Sequence, residues 1–271
     1  MEREMIETLD YINDYIKSKP KVGIVLGSGL GDIAYKINVE VVIPYTDIPN
    51  FIAPTIEGHK GNLIFGNIGG MSVVLMQGRN HYYEGHTMKE ITYPIRIMKE
   101  LGVEVLMTSN ATGGLNPSFQ IGDIMLVNDH INLMGDNPLR GTNDGVGPRF
   151  LDLTNAYDSE LRTKAKMFCI NNNIRCVEGV LVAISGPTYE TSAEYRYMKI
   201  IGGDAVGMST IPEVLVAKHC GMRVFSMSLI TNLNTIENKT EINHEDVQQI
   251  ANESAEKMGA LILHLLSNLK I

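Results

Sequence analysis

The sequence predicts an α/β fold with a central, mostly parallel or mixed β-sheet surrounded by helices. Three observations predict it. Short apolar runs alternate with helical patterns almost throughout the chain. Nearly every apolar run ends in glycines, hydroxyls or amides, the composition expected where the carboxyl ends of strands build a ligand pocket. No Pro- or Ser-rich linker, repeat or low-complexity stretch breaks the alternation, so residues 1–271 read as one domain.

The elements follow in order. Met5, Leu9, Ile12 and Ile16 recur at steps of four, three and four, which predicts a helix over 2–18. Val22–Leu26 is an apolar run that ends in Gly27-Ser-Gly-Leu-Gly31. Further runs at 71–76, 103–107, 123–127, 179–184 and 222–230 predict buried strands. Helical patterns fit 89–101, 157–171, 192–201, 210–220 and 243–269. The stretch 134–150 is rich in Gly, Pro, Asn and Asp and predicts a long surface loop with a function.

Composition narrows the partners. With 23 Lys+Arg against 31 Asp+Glu, the net charge is −8. That disfavours nucleic acid and anionic membrane surfaces, both polyanions, yet leaves room for a small anion in a locally positive pocket. No apolar window reaches the roughly 18 residues of a membrane span. The N-terminus is charged and lacks the apolar centre of a signal peptide. Cys169, Cys176 and Cys220 form no CxxC pair, which reads as a reduced, cytoplasmic chain without a disulfide scaffold or zinc site.

The polar clusters carry the chemistry. Gly27-Ser28-Gly29 is shaped for an anion, because glycines leave main-chain N–H groups open before a helix start. A tight strand-to-helix turn would use the same glycines. Asp32 stands where a dinucleotide fingerprint needs glycine, and no Lys-Ser/Thr follows as in a Walker A loop. Leu26 also excludes a nucleophile elbow around Ser28. Arg79, His81 and Glu84 follow one strand; arginine suits bidentate phosphate binding, and a carboxylate favours the histidine cation. A solvated charged loop is the plainer alternative. His59 lies between Gly58 and Gly61, Glu190 follows Tyr189, and Asn232 ends the last apolar run. Asn232 offers a donor and an acceptor together. Taken alone, Glu190 reads equally as a helix-start acid, Asn232 as a turn residue, Met208 as core and His244 as part of a helix cap.

Together the clusters resemble the trimeric purine nucleoside phosphorylases. The matching stretches are Leu26–Gly31, Gln77–Gly85, Thr108–Pro117, Gly122–Leu133, Asn137–Gly141, Gly186–Thr191 and Asp204–Val214, in family order. The resemblance implies a single α/β domain with a mixed, partly barrel-like sheet. It implies reversible phosphorolysis of a purine nucleoside to free base and pentose 1-phosphate, with inorganic phosphate as co-substrate, no cofactor and no metal. Phosphate is then expected at Ser28, Arg79, His81, the N–H of Ala111, and Ser209, with Glu84 orienting His81. The sugar is expected to meet Tyr83 and Met208, with His59 at the border and His244 at the 5′-hydroxyl. The base is expected at Glu190 and Asn232, with Tyr189 on its face. Phe150 is expected to cover the sugar from the neighbouring subunit of a homotrimer. The segment 232–243 departs from the family pattern.

The chemistry is consistent with that expectation. Phosphate is both nucleophile and partner for the cationic sugar, so no covalent enzyme intermediate is required. Asn232 can accept from a protonated N7 and donate to a 6-oxo group, while Glu190 accepts from N1–H. That pair predicts inosine and guanosine as substrates. Xanthosine phosphorylase stays open, and methylthioadenosine phosphorylase is disfavoured by Asn232, where aspartate would suit a 6-amino group. A non-enzymatic nucleoside-binding protein would not need the Arg79, His81 and Glu84 set, and Asp32 weakens a dehydrogenase.

Overall fold

The computed structural model describes residues 2–27, 37–56, 58–143, 145–233 and 244–271. Helix α1 (Glu2–Asn13) is followed by β1 (Val22–Val25), the edge strand β2 (Asn38–Pro44), β3 (Asn62–Ile68) and β4 (Met71–Gln77). Then come α2 (Met88–Glu100), β5 (Val105–Gly114), β6 (Ile124–Leu133), α3 (Ser159–Asn171) and β7 (Cys176–Ile184). The chain ends with α4 (Ser192–Ile200), β8 (Ala205–Gly207), α5 (Ile211–His219), β9 (Arg223–Leu233) and α6 (His244–Ser267).

The strands form one sheet in the order β2-β3-β4-β1-β5-β8-β7-β6-β9, and β9 also pairs with β5. That extra pairing closes β5, β8, β7, β6 and β9 into a ring, from which β1, β4, β3 and β2 extend as an open arm. Parallel pairs (β1 with β4 and β5, β5 with β9, β7 with β6 and β8) mix with antiparallel ones. The mixed, partly barrel-like sheet expected from the resemblance is the one observed.

The central strands are apolar on both faces because both are covered. On one face Val25, Val74, Met76 and Leu106 join a core that includes Ile95 and Met98 of α2 and Val214 of α5. On the other, Ile24, Leu75 and Met107 join Leu161 of α3 and Met258 and Leu261 of α6. The period-2 alternation inside continuous apolar runs is thus real, but hidden from the sequence by double burial.

Three strands and several element boundaries differ from the sequence reading. The first helix stops at Asn13 instead of reaching residue 18. β2 and β3 were not foreseen: β2 is a half-exposed edge strand without clean alternation. β8 has only three residues, too few for any period. β5 and β9 run on through their polar ends, because Asn110 pairs with Ser228 and, past a register shift between Thr112 and Gly113, Gly114 pairs with Leu233. The polar clusters after those apolar runs therefore sit on strands, not loops. Residues 134–150 carry no helix or strand among the described residues, as the composition predicts.

One detail of pairing makes the site. On one edge β5 pairs with β1 over Val105–Thr108 and with β8 over Gly113–Gly114. The edge of Ser109–Thr112 lies open between those two partners. Such a split at the carboxyl end of parallel strands is where α/β sheets bind ligands.

Candidate active site

The turn after β4 brings two loops together. Gly78 has φ +103, and a Cβ there would lie 2.7 Å from the His59 Cβ, so glycine is required for the approach. The Arg79 main-chain N–H lies 2.8 Å from His59 Nδ1, and the Arg79 carbonyl lies 3.0 Å from the same nitrogen. Burial, joined by the positive charges at His81 and Arg79, pushes His59 down to about 3. His59 is a neutral support.

His81 is held from three sides. Glu84 Oε1 accepts from the His81 main-chain N–H at 2.6 Å and lies 3.2 Å from Nδ1. The Tyr83 ring stacks on His81 at 4.8 Å, and His59 meets it edge-on at 5.1 Å. Glu84 is itself fixed, since Oε2 accepts from the Thr55 N–H at 2.8 Å and its hydroxyl at 2.6 Å. Burial alone would raise the Glu84 carboxyl; the hydrogen bonds from His81 and Thr55 outweigh it and hold the group at about 2. Burial, with Glu84 and Tyr189 nearby, raises Tyr83 to about 12.

Arg79 is 1% exposed and bridges β4, β5 and the start of α5. Its Nη1 donates to Glu213 Oε1 at 2.8 Å and to Thr210 Oγ1 at 3.3 Å. Its Nη2 donates to the main-chain carbonyl of Ser109 on the open edge of β5. The buried Nε has no hydrogen-bond partner among the described residues. Val105 donates its N–H to Lys21 of the neighbouring chain segment at 3.3 Å, so strand alternation aims the Ala111 N–H toward the same open edge. Thr210, which precedes α5, has φ +78 and ψ −51, a strained conformation for a β-branched residue and one that clusters at functional sites.

The far end of the pocket is built by β9, β5 and the loop before α4. A Cβ on Gly113 would lie 3.0 Å from both Asn232 Nδ2 and the Tyr195 hydroxyl, so the bare strand makes room for them. Burial raises the Glu190 carboxyl, while bonds from its own main chain and from Tyr195 partly offset the rise. Gly186, at φ +65, is wedged where a Cβ would meet Met208 Sδ at 2.5 Å and Tyr83 at 3.1 Å.

These parts enclose a cavity of about 270 Å³. Arg79, His81, Tyr83, Ala111, Tyr189, Glu190, Met208, Ser209 and Asn232 all line it, as the sequence reading expects. Glu84 and His59 stand behind that wall and support His81 and Arg79. Phe150 does not reach it; the residue is 90% exposed in the 134–150 stretch. Ser28 and residues 234–243 lie outside the described residues. His244 begins α6, its side chain likewise outside the described set, and Val247 one turn on lines the cavity. The sequence reading missed Thr55, Asn110, Tyr195, Thr210 and Glu213. Glu213 had a signal: it is the one acid inside the apolar stretch Ile211–Ala217, which is buried throughout.

One end of this cavity gathers a guanidinium, an imidazole, a hydroxyl and open main-chain N–H groups, a set that suits a compact anion. The other end offers a carboxylate, a carboxamide and an aromatic ring, a set that suits a flat heterocycle with several polar edges. Fold and site together place the chain in the phosphorylase superfamily, whose family model matches residues 21–267. The chain is 47% identical over 268 residues to purine nucleoside phosphorylase 1 of Geobacillus stearothermophilus, covering 98% of this chain and 96% of that protein. It is 42% identical over 273 residues to the purine nucleoside phosphorylase of Bos taurus, covering 98% and 94%. The crystal structure of Schistosoma mansoni purine nucleoside phosphorylase in complex with inosine superposes with a TM-score of 0.94 at 42% identity, covering 99% of this chain and 97% of that one. The chain belongs to the purine nucleoside phosphorylase family.

Among the described residues no helix is long and apolar enough to cross a membrane.

Proposed function

We propose that the chain catalyses phosphorolysis of 6-oxopurine nucleosides, inosine and guanosine, with inorganic phosphate as co-substrate. The observation that carries this reading is the two-ended cavity: Arg79, His81, Ala111 and Ser209 at one end, Glu190 and Asn232 at the other. Phosphate binds at Arg79, His81, the Ala111 N–H and Ser209, with Ser28 from the glycine loop. With Nδ1 turned to Glu84, His81 meets the anion through Nε2.

The nucleoside lies between the ends, its sugar beside Tyr83 and Met208. As the C1′–N9 bond breaks, its electron pair passes to the purine and positive charge builds on the sugar. A phosphate oxygen forms the new bond to C1′. The leaving base takes up a proton at N7 from solvent, balanced by the proton that phosphate loses on bonding to C1′; Asn232 accepts from that N7–H and donates to the 6-oxo group. Glu190 accepts from N1–H, and Tyr189 covers the ring. Groups set in advance where charge develops need no reorganisation at the moment of reaction.

The same reading makes the enzyme a cytoplasmic homotrimer in which Phe150 of one subunit closes the sugar site of the next and His244 approaches the 5′-hydroxyl. The exposure of Phe150 supports it: 90% of a phenylalanine left open on a functional loop wants a partner surface. A panel of nucleosides with saturating phosphate tests the specificity. Inosine and guanosine are expected to turn over, adenosine and methylthioadenosine far more slowly; adenosine turning over as fast as inosine would contradict the assignment of Asn232 and Glu190.

A further inference from the structure

Among the described residues, Arg79–Glu213 and His81–Glu84 are the ion pairs with both side chains buried. Arg79 is 1% and Glu213 4% exposed, and the contact is 2.8 Å. Glu213 stands in the first turn of α5, among Ile211, Val214 and Leu215, in a helix with no amphipathic face to account for an acid. Two buried charges are costly to bring out of water, and apolar residues of similar volume would often serve stability as well. The pair therefore calls for a use besides packing.

The geometry indicates that use. Glu213 and Thr210 occupy Nη1, and the Ser109 carbonyl occupies Nη2. What the clamp leaves is the second Nη2 hydrogen and the Nε–H, which is buried and without a partner among the described residues, on a side chain that lines the cavity. A guanidinium on a flexible stem would otherwise spread over many rotamers. The Glu213 carboxylate also offsets the charge that an incoming anion meets. We propose that Glu213 is the positioning residue for Arg79: it fixes the guanidinium so that the remaining donors face phosphate, and its negative charge keeps phosphate binding weaker than the bare arginine would make it. This rests on the reading of the Arg79 end as the phosphate site.

The two halves of the role separate by mutation. Glu213→Asp keeps the charge but withdraws the carboxylate by about one C–C bond, roughly 1.5 Å. The clamp opens, and the KM for phosphate is expected to rise about tenfold, the worth of one charge-assisted hydrogen bond. Glu213→Gln keeps an acceptor at full reach but removes the like charge, so the KM for phosphate is expected to fall about threefold or more. Both variants should leave the KM for inosine within about twofold. Opposite shifts confined to phosphate are something lost packing does not produce.

Steady-state kinetics with each substrate varied in turn, beside thermal melts, decides the matter. Shifts of the same sign in the two variants, an unmoved phosphate KM in either, or an equal shift in the inosine KM would overturn the proposal. Should Glu213→Asp not be recovered folded, the isosteric Glu213→Gln decides alone by the sign of its phosphate shift. Wild-type release of base that ignores phosphate would instead defeat the functional reading, and is recognised before any variant is made.

Discussion

Glu84 grips His81 at two atoms: its Oε1 accepts the His81 main-chain N–H at 2.6 Å and stands 3.2 Å from Nδ1 of the ring. The other carboxylate oxygen is tied to Thr55, so neither oxygen is free to turn. His81 thus faces the cavity in one orientation. Removing the grip by Glu84→Ala should raise the KM for phosphate and lower kcat, together about 10- to 100-fold in kcat/KM for phosphate. The KM for inosine should change little. Wild-type kinetics in this variant would remove Glu84 from the account.

Base recognition has a sharper test. Asn232→Asp replaces a donor–acceptor pair with an acceptor only. The 6-oxo group then faces a carboxylate. Turnover of inosine should fall at least about 100-fold, as expected where a site built for one hydrogen-bond pattern meets another. Unchanged turnover of inosine would show that Asn232 does not read the base.

His59 makes a prediction about acid stability. Unfolded, it takes up a proton near the ordinary value of 6.5; folded, only near about 3. The unfolded chain therefore binds more protons between these values, and stability falls as pH drops through that window. Each pH unit inside it costs up to about 1.4 kcal/mol. His59→Gln keeps an acceptor for the Arg79 N–H without the titration. Between about pH 7 and about pH 5 the wild-type melting temperature should fall more than that of the variant. Parallel declines would contradict a buried, neutral His59.

Phe150 tests the shared site. In the single chain it is 90% exposed and away from the cavity wall. Phe150→Ala should raise the KM for inosine about tenfold through lost cover of the sugar, with the KM for phosphate unchanged. Sedimentation should give a trimer for both proteins. A monomer with full activity would contradict the shared site.

Much of this was legible in the sequence, for reasons that particular residues make clear. Arg79, His81, Glu190, Ser209 and Asn232 were readable because each ends an apolar run, and such ends converge in a parallel sheet. The closed ring of strands was not readable from periodicity, since Leu106 and Met107 of β5, Met125 and Leu126 of β6, and Val224 and Phe225 of β9 lie in runs buried on both faces. β3 hid for another reason. Its Gly66 reads as a strand breaker, yet a Cβ there would lie 2.4 Å from the Asn38 carbonyl, so glycine is what permits the bulged pairing with β2. Thr55 was out of reach because its role lies in a partner distant in sequence, Glu84, and Glu213 showed only as an acid in an apolar stretch, with nothing to name its distant partner Arg79. Thr210 carries no local sign of its strained backbone.

The central claim is that phosphate, not water, takes the sugar from the base. The most direct measurement incubates the purified enzyme with inosine, with and without inorganic phosphate, and identifies both products. The account predicts hypoxanthine together with ribose 1-phosphate, formed in equal amounts and only when phosphate is present. Release of hypoxanthine with free ribose in the absence of phosphate would contradict it.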